Sequence, residues 1–149
     1  MLRNGLIGGV GLLLQAATAA HGQPVDMLLC LAADVSESVT AGEYELQRRG
    51  HAAAIEDPEV VSIIGAGLHG RIAVLYVEWA DQLQQHAGVD WQVVGDLASA
   101  RAAADRIRHA ASPPWIDMTV RNTSTSQVVE YCLRRFRSAP VTARRMVID

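Results

Sequence analysis

Residues 25–33, Val-Asp-Met-Leu-Leu-Cys-Leu-Ala-Ala, are apolar apart from Asp26, and the run stops at Asp34-Val-Ser36-Glu-Ser38. A strand that is apolar on both faces has to be covered on both, so this segment calls for helices above and below a sheet. The polar residues that follow then mark the C-terminal edge of that sheet. Alternate residues of an extended segment point the same way, so Asp34, Ser36 and Ser38 can converge. One carboxylate and two hydroxyls make an all-oxygen set, suited to Mg²⁺, Mn²⁺ or Ca²⁺ rather than to zinc or copper. The competing reading is a helix N-cap: Ser36 or Ser38 caps the helix that begins near Thr40.

Beyond this strand, helical and strand patterns alternate. Thr40 opens a helix to Glu56, with Glu43 at capping-box spacing, and Asp57-Pro58 ends it. A short helical turn over 58–64 leads to a glycine-rich loop at 65–70. Residues 71–79 read as a second buried strand, 81–88 as a polar turn and 89–94 as a third strand. Asp96 caps an alanine-rich helix to about Ala110. An irregular stretch starts at Ser112-Pro113-Pro114. Residues 124–137 form a last helix with Val128, Tyr131, Cys132 and Phe136 inward, and 143–149 begin another strand. The short link between the second and third strands predicts an antiparallel hairpin; the other connections are right-handed crossovers. The expected fold is α/β, with a doubly wound, mostly parallel sheet.

Composition narrows the function. At 149 residues, with 50% of them apolar and a mean hydropathy of +0.12, the chain suits one domain with a substantial core. The net charge is −3 and no basic stripe tracks a phosphate backbone, which disfavours nucleic acid as a partner. Residues 1–22 read as a secretory signal peptide: Arg3, a short apolar core over 6–14, then Ala17-Thr18-Ala19 as a small-x-small cleavage pattern. That core is too short to span a bilayer comfortably, and no later segment is a better candidate. The mature chain, 23–149, is then expected in a periplasm or outside the cell, where disulfides are permitted. Cys30 and Cys132 form no Cys-x-x-Cys pair, so zinc-ribbon and thioredoxin-type motifs are excluded. Both are read as buried small hydrophobes rather than as a bridge.

Other motifs weigh less. Gly65-x-Gly67-x-x-Gly70 has dinucleotide-binding spacing, but it follows a helix and opens a strand, the reverse of what that fingerprint requires. Asn122-Thr123-Ser124-Thr125-Ser126 precedes the last helix; one hydroxyl is expected to cap it. In a doubly wound sheet the loops at the strand C-termini share a rim, so Thr123 can join Asp34, Ser36 and Ser38 there. No Gly-x-Ser-x-Gly elbow frames a serine nucleophile, and His51, His69, His86 and His109 are read as solvated. Asp34 lacks the second carboxylate two residues on that an aspartyl phosphatase uses. Asp81, Asp90 and Asp117 are read as isolated surface carboxylates.

Asp34-x-Ser36-x-Ser38 at the end of an apolar first strand, with Thr123 before a later helix, resembles the von Willebrand factor A domain. Residues 34–38, 46–50, 57–61, 69–79 and 144–149 further resemble a bacterial secreted branch, domain of unknown function family 1194. The resemblance implies a metal-ion-dependent adhesion site with Asp34, Ser36, Ser38 and Thr123 as ligands to Mg²⁺, or to Mn²⁺ or Ca²⁺. Asn122 stands where that family usually has glycine. A closing aspartate, in a turn past the fourth strand, is expected beyond Asp149. The reading is therefore of the N-terminal part of a von Willebrand factor A-like domain, lacking its last strands and helices and binding metal weakly. It implies a secreted, non-catalytic protein-binding module whose partner supplies a carboxylate to the metal. The alternatives are a metal-dependent hydrolase using the same rim and a non-functional fragment.

Overall fold

The computed structural model describes residues 22–81, 83–111 and 124–149. The signal-peptide segment 1–21, the Ser112-Pro113-Pro114 stretch, Asp117, Asn122 and Thr123 lie outside the described residues.

Among the described residues, four strands form one mixed sheet in the order β3-β2-β1-β4. β1 (Leu28–Asp34) is flanked by β2 (Ile72–Trp79) and β4 (Met146–Ile148), parallel to both, and β3 (Gln85–Val94) runs antiparallel to β2 at the edge. Among the described residues the helices are α1 (Ala41–Glu56), α2 (Pro58–Gly65), α3 (Leu97–Arg108) and α4 (Thr125–Arg137). The fold is α/β with a largely parallel sheet and a β2–β3 hairpin, as expected.

Strand alternation sorts the core into two layers. On one face Leu31, Ala33, Ile72, Val74 and Tyr76 meet Ala52 and Ile55 of α1, Ile64 of α2 and the small residues Ala100, Ala103 and Ala104 of α3. On the other face Leu28, Cys30, Ala73, Leu75, Val77 and Trp79 meet Val128, Cys132 and Phe136 of α4. Every residue of β2 is buried, the result expected for a strand enclosed on both faces.

Two local expectations change. β3 begins at Gln85, so residues 85–88 are strand rather than turn. Their polarity is that of an edge strand, half-exposed while paired with Trp79, Glu78 and Val77. Gly88 serves this pairing, because a Cβ there would lie 3.2 Å from the Tyr76 ring. Cys30 and Cys132 form a disulfide with Cα atoms 6.4 Å apart, correcting the reading of two separate buried thiols. The bridge forms because α4 lies directly on β1.

The glycine loop has a structural task at the N-terminal end of the sheet. The Asp26 carboxylate accepts the backbone N–H groups of His69 (2.9 Å) and Arg71 (3.3 Å). A Cβ at Gly67 would lie 2.4 Å from Asp26 Oδ2, and Gly70 has a φ of 61°. These glycines let the loop close over Asp26, whose pKa is lowered chiefly by the His69 N–H. No helix among the described residues is long and apolar enough to cross a membrane.

Two predictions follow from the packing. The disulfide closes a loop with a sequence separation of 102, so the Cys30→Ala/Cys132→Ala variant should lose roughly 2–4 kcal/mol in denaturant unfolding. His51 is 20% exposed, its ring edge-on to Tyr76, and burial lowers its pKa while the Asp149 carboxylate opposes the shift. The unfolded chain therefore takes up the His51 proton more readily than the folded one. This contribution to stability is complete above the ordinary imidazole pKa of about 6.5 and is lost as pH falls toward the folded value. Melting temperatures should fall between pH 8 and pH 5, and fall less steeply in His51→Gln.

Candidate metal centre

β1 delivers Asp34 to the C-terminal rim, where it pairs in register with Trp79 of β2. The Val35 N–H donates to the Trp79 carbonyl at 2.8 Å, extending the pairing by one residue. Val35 is buried against Tyr44 and Ala80. The chain then turns. The Ser36 N–H donates to Asp34 Oδ1 at 2.8 Å, and the Val39 N–H to the Ser36 carbonyl at 2.9 Å. The Asp34 Oδ2 atom has no hydrogen bond or ion pair among the described residues.

Ser36 is 1% exposed and Ser38 is exposed, with their hydroxyl oxygens 3.3 Å apart. Adjacent ligands of an octahedral ion are separated by √2 times the metal–oxygen distance, about 2.9 Å for Mg²⁺ and about 3.4 Å for Ca²⁺. The two serine oxygens thus fit neighbouring positions around a hard divalent cation. The donor set fits as well: every candidate atom is an oxygen, and only one group carries charge.

The helix-cap reading of the serines is overturned. Thr40 is the N-cap of α1: its Oγ1 accepts the Glu43 N–H at 3.2 Å, and Glu43 Oε2 accepts the Thr40 N–H at 2.8 Å. Neither Ser36 nor Ser38 takes part.

The second predicted segment approaches the same edge. The Ser124 N–H donates to the Ala80 carbonyl at 3.3 Å, one residue beyond Trp79. Ser124 occupies the N-cap position of α4 but makes no side-chain cap, and its hydroxyl lies 3.5 Å from that of Ser126. The expected capping hydroxyl is therefore not found at Ser124. Alternation along β1 turns Asp34, like Cys30 and Ala32, toward the α4 face. Of the predicted ligands, the structure gathers Asp34, Ser36 and Ser38 in one turn, while Thr123 lies outside the described residues.

Sequence reasoning missed a buried polar cluster just behind this turn. Glu78, the penultimate residue of β2, is fully buried and accepts a hydrogen bond from the Tyr44 hydroxyl. Arg48 Nη1 donates to the Tyr44 oxygen at 3.2 Å and to the Ala110 carbonyl. The Tyr76 hydroxyl is buried near the same carboxylate, without a hydrogen bond of good geometry. Burial first, then the Glu78 charge, raises its pKa. The signal was available: a lone Glu in a strand apolar on both faces requires a donor, and Tyr44 and Arg48 share one face of the adjacent helix.

The histidines are less uniformly solvated than expected. His51 is mostly buried against Tyr76 and His86 lies within β3. Asp149 hydrogen-bonds through its backbone to Cys30 and Ala32, and its side chain lies 3.8 Å from His51, on the α1 face. Among the described residues, no three His, Cys, Asp or Glu side chains gather as a metal site.

Two solved structures resemble the chain. One holds three N-terminal domains of the type V pili tip protein Mfa5 from Porphyromonas gingivalis, with 15% identity and a TM-score of 0.49, over 86% of this chain and 20% of that one. The other is the vWF domain of the same protein, with 16% identity and a TM-score of 0.46, over 85% of this chain and 36% of that one. The chain therefore spans well under two thirds of either. No curated protein matches it. A family model described as "Protein of unknown function (DUF1194)" matches residues 24–149, and the chain belongs to that family.

Proposed function

We propose that this chain is a secreted, metal-dependent protein-binding module without catalytic chemistry. Asp34, Ser36, Ser38 and Thr123 hold a divalent cation, Mg²⁺ or else Mn²⁺ or Ca²⁺, at the C-terminal rim of the sheet. The observation that carries the reading is the pair of serine hydroxyls, 3.3 Å apart beside Asp34, in a turn whose helix is capped by another residue. Neither hydroxyl caps the helix; the two hydrogen-bond to each other, and a cation between them would replace that bond.

The chemistry of such a site favours an acidic partner. One carboxylate and neutral hydroxyls leave one of the cation's two positive charges uncompensated. The N-terminal ends of α1 and α4, which carry partial positive charge, open near the same rim. A carboxylate from a protein partner completes the coordination. Secretion is supported by the leader-like residues 1–22 and by the Cys30–Cys132 bridge, which suits an oxidising compartment.

Mg²⁺ or Mn²⁺ titrated calorimetrically into wild type and Asp34→Ala should bind the former and not the latter; equal affinities would sink the proposal. Ser36→Ala should weaken cation binding with little loss of stability. Thr40→Ala should do the opposite, costing about 1 kcal/mol as a lost helix cap while leaving cation affinity intact. If residues 1–22 are a cleaved leader, the exported protein should begin near residue 23 by N-terminal sequencing.

A further inference from the structure

We propose that Tyr44 and Glu78 are positioning residues, whose buried hydrogen bond holds the first turn of α1 against the end of β2 and thereby fixes the Asp34–Val39 turn. The cation-binding part of this inference rests on the metal site proposed above.

Glu78 is fully buried at the C-terminal end of β2, where a carboxylate is costly unless donors meet it. Tyr44 is one such donor, and it closes the first turn of a helix that begins directly after the candidate ligand loop. Its ring packs on Val35 and Ala80, with Val39 against the same cluster. Val35 lies between Asp34 and Ser36, and Val39 follows Ser38. The residue bonded to Glu78 thus belongs to the small apolar cluster on which the turn rests, with Val35 in it and Val39 packed against it.

Arg48, one helical turn further on, makes the arrangement directional. Its Nη1 donates to the Tyr44 oxygen, which leaves the Tyr44 hydrogen for Glu78, and its guanidinium lies 4.8 Å from the Tyr44 ring centre. Arg48 to Tyr44 to Glu78 is a chain of hydrogen bonds in which each link polarises the next. Apolar packing alone leaves a ring free to slide; a bond to a fixed strand carboxylate sets its height and angle. At its start the turn is tied to β2 by the Val35 N–H, bonded to the Trp79 carbonyl, and within it the Ser36 N–H bonds to Asp34 and the Val39 N–H to Ser36. Tyr44 adds a second link from the turn to β2, through Glu78.

Tyr44→Phe keeps the ring and removes the bond, while Glu78→Gln keeps an acceptor oxygen. Amide hydrogen exchange on the metal-free full chain should show protection at Ser36 and Val39 falling about tenfold in Tyr44→Phe, with amides of β1 and α4 little changed. Glu78→Gln should fall between that variant and wild type. Mn²⁺ affinity should follow the same order. Unchanged exchange at Ser36 and Val39 overturns the inference. So does a uniform rise across the chain, which marks a general loss of stability. If wild type binds no Mn²⁺ while Tyr44→Phe still loosens the turn selectively, the metal reading falls and the positioning role stands.

Discussion

The enclosure of β1 on four sides governs the rest of the molecule. Strands β2 and β4 satisfy its backbone on either edge, while α1 and α4 pack on opposite faces. Such a strand cannot slip in register without carrying its side chains to the wrong layer. The point where its apolar run ends is therefore fixed in space, and Asp34 with it. The rim inherits its geometry from the core: a turn of small polar residues is held where a covered strand has to stop being covered.

The same enclosure explains what was readable from residue types alone. Continuous apolar runs identified β1 and β2, and a helical period with terminal caps identified α1 and α3, because one-dimensional patterns report directly on two-sided burial and on orphan helix amides. The Thr40–Glu43 capping box was legible for that reason. Gln85–Gly88 was not, because an edge strand with half-exposed polar residues looks like a loop until its partner is known. The disulfide escaped because it depends on a distance between elements 102 residues apart in sequence, which no local pattern encodes.

The candidate site divides along the same line. Asp34, Ser36 and Ser38 lie close in sequence, so their place in one turn at the end of β1 was legible from the sequence alone. Which hydroxyl caps α1 was only partly decided in the sequence: Ser36, Ser38 and Thr40 are all competent caps, the Thr40–Glu43 spacing favours Thr40, and the helix in place settles the choice. Tyr44 and Glu78 come from separate elements, and each looks ordinary in its own segment. Their pairing becomes visible when α1 is laid on β2 and a buried carboxylate has to be accounted for.

The Cys30–Cys132 bridge has a topological consequence. The covalent ring it closes contains α1, α2, β2, β3 and α3 entire, together with the turn from Asp34 to Val39. Cutting any one peptide bond between the two cysteines opens the backbone yet leaves a single covalent molecule, its first strand still tied to its last helix. The segments that form the rim cannot then diffuse apart, so a single proteolytic nick does not by itself separate them.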